Sequence, residues 1–97
     1  MAEGLTTKFL KQAFQLQEEK HYKQAIEALY KALCIESDNI EILAQISHLY
    51  FLMNNFERSL EYAEKILDID PNHIDTLKIV VNINKVTKKY AKALQFA

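Results

Sequence analysis

The chain has 97 residues and a formal net charge of −1, with 49% apolar residues, one Gly, one Pro and one Cys. This length suits a single small domain, and the apolar content supports folding over disorder. Near-neutral charge gives no general pull toward nucleic acid or a membrane surface, and two breakers are too few for the tight turns of a sheet protein, which leaves helices joined by short connections.

The first predicted helix covers about residues 6–19, where Phe9, Ala13 and Leu16 recur on one face. The stretch Met1 to Leu16 contains Lys8 and Lys11 and no long apolar run, so a secretory leader is not expected. A second helix, 22–36, carries Ala25, Ile26, Leu29 and Leu33 at helical spacing. Ser37-Asp38-Asn39 then offers N-cap side chains to a third helix, 40–53, with Leu43, Ile46, Ser47 and Tyr50 on one face. Asn54-Asn55 turns the chain into a fourth helix, 56–69, and Asp70-Pro71-Asn72 separates it from a fifth, 74–87. The fifth segment is rich in β-branched residues, among them Ile79, Val80, Val81 and Val86, which locally favour a strand. A repeat register, set out below, decides for helix. A sixth, short helix is expected at 90–97. No window approaches the roughly 18 uncharged apolar residues of a membrane span.

The register has a period of 34 residues. Tyr22, Phe56 and Tyr90 are 34 apart, followed three places on by small residues (Ala25, Ser59, Ala93) and then by Ile26, Leu60 and Leu94. Leu33 pairs with Leu67, Ile35 with Ile69 and Lys31 with Lys65 in the same register. Repeats of about 6–39, 40–73 and a partial 74–97 make one domain over 1–97. The third repeat lacks ten residues of its period. Leu94, Phe96 and the apolar side of 74–87 are expected to be poorly covered, by fragmentation of a longer stack or because that end meets another molecule.

On these residues the chain resembles the tetratricopeptide repeat family, whose pattern is W-x2-L-G-x2-Y, then A-x3-F, then P. Residues 40–73 carry it best, through Leu43, Ile46, Ser47, Tyr50, Ser59, Ala63 and Pro71. The first repeat departs from it at Gln12 and Ser37, and the third at Val81 and Asn84. The resemblance implies an all-α, right-handed superhelical stack of about three antiparallel helix pairs, the last incomplete, acting as a protein–protein interaction scaffold. Physically, a small residue in the first helix of each pair admits the second helix closely, and stacking buries what one hairpin cannot.

Catalytic chemistry has no constellation to work with. His21, His48 and His73 are too far apart in sequence for helical metal pairs, and a chain whose one glycine is Gly4 has no phosphate loop. Cys34 reads as a half-buried structural thiol, and its solitude fits a reducing, cytoplasmic setting. No enzyme activity, cofactor or metal is expected. Charge is uneven, however. Five of the 12 basic residues lie from Lys78 onward, with no acid among them, which leaves 7 basic against 13 acidic in residues 1–77. A nucleic-acid stripe is the sharper reading of that end, and a solubilising surface the preferred one.

The resemblance also implies where a partner binds: a concave groove lined by the first helix of each pair. By register this is Leu10, Lys11, Phe14 and Gln17, then Gln45, His48, Phe51 and Leu52, then Ile79, Asn82 and Val86, with Asp75 and Lys78 near the rim. A family subgroup clamps the acidic tails of heat-shock chaperones with lysines, asparagines and an arginine. Here those places hold Leu10, Phe14, Gln45, Asp75 and Ile79, so the clamp is missing and that function is not expected. Phe14, Phe51 and Leu52 either pack between hairpins or serve as anchors for a peptide or helix. The alternative is self-assembly through the groove or the open C-terminal end.

Overall fold

Five helices follow one another in the computed structural model, which describes residues 2–96, and side chains from residue 4 to residue 88. They are α1 (Ala2–Glu18), α2 (Tyr22–Ile35), α3 (Ile40–Leu52), α4 (Phe56–Ile69) and α5 (Ile74–Phe96). α1 packs along α2 and α3 along α4, giving two hairpins; α3 then meets α2, and α5 meets both α3 and α4. The first helices α1, α3 and α5 thus follow one side of the stack. The molecule is long and flat, 55 × 31 × 17 Å. Its radius of gyration, 14.7 Å, exceeds the roughly 12–13 Å of a compact chain this size, as a stack of layers requires.

Each hairpin closes on a pair of small side chains. In the first pair these are Ala13 and Ala25, and in the second, 34 residues on, Ser47 and Ser59, all four fully buried. Ser47 Oγ donates to the Ser59 carbonyl and Ser59 Oγ donates to the Ser47 carbonyl, both at 2.8 Å. Two hydroxyls shielded from solvent are therefore satisfied within the helix contact, which is the condition for burying them cheaply. Leu29, Ile42, Ile46, Leu49 and Ile66 fill the space around these pairs.

The turns also repeat. Lys20 and Asn54 are the non-glycine residues with positive φ, at 64° and 62°. After each, the next amide reaches back five residues, His21 N–H to the Leu16 carbonyl at 2.8 Å and Asn55 N–H to the Tyr50 carbonyl at 2.9 Å. Lys20 N–H and Asn54 N–H each reach back three residues, to Gln17 and Phe51. This is a Schellman ending, which satisfies the last helical carbonyls and needs one left-handed residue. Asn39 and Asn55 then cap α3 and α4, each side-chain oxygen accepting an amide three residues on.

Three tyrosines from three helices tie the hairpins together. Tyr30 and Tyr50 hydroxyls lie 2.6 Å apart, and Tyr62 donates to Tyr30 at 3.2 Å. The Tyr50 and Tyr62 rings stack with centroids 6.0 Å apart. Burial, reinforced by the bond to Tyr30, pushes the Tyr50 phenol up to about 12, with Arg58 pulling the other way. Burial raises the Tyr30 phenol as well.

Two expectations are corrected. The predicted break after residue 87 is absent: α5 runs unbroken from Ile74 to Phe96, with no separate helix at 90–97. At this turn the chain has Lys88-Lys89 where the previous repeat has Asn54-Asn55. Both lysines propagate a helix well, and Lys89 has no oxygen with which to cap as Asn55 does; Lys88 alone does not decide it, since Lys20 turns the chain at the equivalent place of the first repeat. Cys34 is exposed, not half-buried. The side chains of Tyr90, Ala93, Leu94 and Phe96 lie outside the described residues.

Candidate functional site

The helices α1, α3 and α5 converge on one open hollow of about 540 Å³. α1 contributes Phe14 and Gln17 from its last turns. α3 contributes Ile40, Glu41, Ala44, Gln45 and His48, residues at helical spacing along one face. Asp75 and Ile79 come from α5, and His73 from the turn before it. His73 Nδ1 lies 2.8 Å from the hydroxyl of buried Thr76, a contact that holds the ring against the start of α5.

The floor is apolar. Phe14 is 50% exposed, a large apolar ring left open to solvent. Ile40, Ala44 and Ile79 are half-buried beside it. The polar groups sit around this floor. Glu41 and Asp75 occupy the first turns of α3 and α5, where a negative charge favours the helix dipole. Gln45 Oε1 is buried with no hydrogen-bond partner. Among the described residues no lysine or arginine lines the hollow.

Of the eleven residues read from the sequence as groove positions, Phe14, Gln17, Gln45, His48 and Ile79 share this hollow. The other six do not line it. Leu10 is half-buried and packs on the core. Lys11 faces a neighbouring depression on α1 with Gly4, Thr7 and Lys8. Phe51 and Leu52 belong to the last turn of α3, where the chain reverses into α4. The Phe51 ring sits 5.7 Å from Phe56 and is half-buried, whereas Leu52 is exposed. Asn82 lines a separate depression on α5 with Ile74, Leu77, Lys78 and Val81, and Val86 is half-buried further along the helix. Ile40, Glu41, Ala44 and His73, which the sequence reading did not name, also line the hollow. The 3.6-residue period carries a face from Gln45 back through Glu41, and that signal was present in the sequence.

Among the described residues no helix is long and apolar enough to cross a membrane. A family model described as tetratricopeptide repeat matches residues 16–79, about two thirds of the chain. The chain is 29% identical over 73 residues to DnaJ homolog subfamily C member 3 of Gallus gallus, an alignment covering 75% of this chain and 14% of that protein. It is also 34% identical over 55 residues to the N-terminal acetyltransferase A complex auxiliary subunit NAA15 of Arabidopsis thaliana, covering 57% of this chain and 6% of that one. The aligned parts are thus a small share of either relative. With its 34-residue register, paired helices and small-residue contacts, the chain belongs to the tetratricopeptide repeat family, whose helical hairpins serve as scaffolds for protein–protein interaction.

Proposed function

We propose that the chain holds a segment of a partner protein, as an extended peptide or a helix, in the hollow between α1, α3 and α5. The half-exposed Phe14 ring, lining the hollow together with Ile40, Ala44 and Ile79, is the observation that carries this reading. Such a ring costs solvation while empty and serves as an anchor when covered. The reading is of a non-catalytic scaffold in a cytoplasmic setting, where an exposed, solitary thiol such as Cys34 stays reduced. Peptides selected on the immobilised chain should bind Phe14→Ala at least tenfold more weakly, a loss of about 1.4 kcal/mol or more, with helicity by circular dichroism unchanged. Phe51→Ala, by contrast, should lower the melting temperature more than the affinity. Selected peptides that bind Phe14→Ala as tightly as the parent would place the contact elsewhere.

A second reading is self-assembly through α5. Ile74, Leu77 and Val81 are exposed along one face of that helix, at 66%, 40% and 50%. Val81 is the register equivalent of Ala13 and Ser47, which in the two complete hairpins lie buried under the second helix. The occupant proposed for this face is a second copy of the chain.

A further inference from the structure

Three oxygen acceptors of the α1–α3–α5 hollow have no partner among the described residues. Glu41 and Asp75 are exposed at its rim, and among the described residues neither makes an ion pair or a hydrogen bond. Their place in the first turns of α3 and α5 accounts for a negative charge there, but it leaves their outward oxygens free to accept. Gln45 Oε1, one turn beyond Glu41 on the same face of α3, is a third acceptor, buried and without a donor among the described residues. A buried acceptor left in this state costs free energy until a donor reaches it. The neighbouring cations in sequence, Lys11 and Lys78, line other depressions and do not neutralise this one. His48 and His73 complete the polar lining, the latter with one ring nitrogen engaged by Thr76.

We infer that the hollow selects a cationic amphipathic segment: an apolar side chain seated against Phe14, Ala44 and Ile79, and a lysine or arginine beside it that reaches Glu41 and Asp75. The inference rests on the proposed function and narrows it. An acidic segment meets like charge at both rims and no cation, which disfavours it even where its apolar anchors fit. Arginine suits the site better than lysine, because its guanidinium donates from several nitrogens at once and can pair with a carboxylate through two of them.

A phage-displayed random dodecapeptide library, selected on the immobilised chain at low salt, tests this. The expected winners carry Lys or Arg next to Leu, Ile or Phe, and their affinity falls as salt rises. A synthetic winner should lose about fivefold or more in affinity for the Glu41→Gln, Asp75→Asn double variant, in keeping with two partly exposed ion pairs. Exchanging its cation for glutamine should give a similar loss on the unaltered protein, a readout that does not depend on how the variant folds. Winners that need Phe14 but are acidic or neutral, or that bind the double variant as tightly as the parent, overturn the charge selection and leave the groove reading standing. An absence of winners, or winners indifferent to Phe14→Ala, overturns both.

Discussion

Ser47 and Ser59 stand where the first hairpin has Ala13 and Ala25, so the chain contains its own control for what two buried hydroxyls contribute. Each hydroxyl spends its proton on the other residue's carbonyl, and the two oxygens are 3.2 Å apart. Ser47→Ala and Ser59→Ala should each cost about 1 kcal/mol, the net worth of one intramolecular hydrogen bond. The double variant should cost less than the two added together, because it recreates the Ala13–Ala25 contact, and residues in direct contact couple. Thermal melts of the three variants measure this; strict additivity would mean the hydroxyls act independently. The tyrosine cluster gives a second prediction. An unfolded tyrosine loses its proton near pH 10, while folded Tyr50 keeps its own up to about 12. Between those values the folded state binds a proton that the unfolded state has released, so stability falls as pH rises. The melting temperature should drop more steeply from pH 10 to 12 in the parent than in Tyr50→Phe. Equal slopes would show that Tyr50 is not the group responsible.

At the scale of the helix and its ends, hairpin order and the starts of α2, α3, α4 and α5 were legible in the sequence, because period 3.6 and period 34 agree there. One cap was legible too: Asn39 acts as its side chain suggests, while Asn55, read only as part of a turn, also caps its helix. Lys20 was not, since nothing in a lysine announces a left-handed residue, and only its alignment with Asn54 marks it. The continuous α5 was hidden for the opposite reason. The family register called for a turn that the local lysines do not encode. The candidate hollow was half legible. The three helices that line it followed from the register, yet the hollow covers only part of their length: Leu10 and Asn82, about one turn from Phe14 and Ile79 on the same faces, fall outside it, and Glu41 and Ala44, one turn before Gln45 and His48, fall inside. Which stretch of each helix faces the hollow is set by how the layers pack on one another, which a periodic pattern does not fix. The strained turn yields a test. Lys20 lies in a conformation that costs a side-chain-bearing residue about 1 kcal/mol and glycine nothing. Lys20→Gly should therefore stabilise the chain by up to about 1 kcal/mol despite the greater freedom of unfolded glycine, raising the melting temperature by about 4–8 °C for each kcal/mol in a domain this size. A lower melting temperature would mean that the lysine side chain contributes more than its backbone costs.

For the whole molecule, the uncovered face of α5 and the uneven charge act on the same question of how copies meet. Ile74, Leu77 and Val81 form a stripe at i, i+3 and i+7, and Lys78, Lys85 and Lys88 stand exposed on the same helix. Apolar burial supplies the attraction, and charge decides the orientation. Two α5 helices face to face would bring lysines together. An α5 against the body of a neighbour brings cations to a surface that carries 13 acids and 7 bases over residues 1–77. The second arrangement is head-to-tail, and such a contact grows into rings or open chains according to whether its rotation closes. Sedimentation over a concentration series should show a weight-average mass that rises without stopping at the dimer. Raising salt from about 0.05 M to about 0.5 M shortens the Debye length and should weaken a head-to-tail contact, whereas it would strengthen a symmetric pairing of lysine-bearing helices. Leu77→Lys, at an exposed position, should return the chain to a monomer with its helicity intact. A parent chain that stays monomeric at every concentration sinks self-assembly. A sharp stop at the dimer, tightened by salt, keeps the α5 face as the interface and reverses the orientation, since only like-charged surfaces gain when charge is screened.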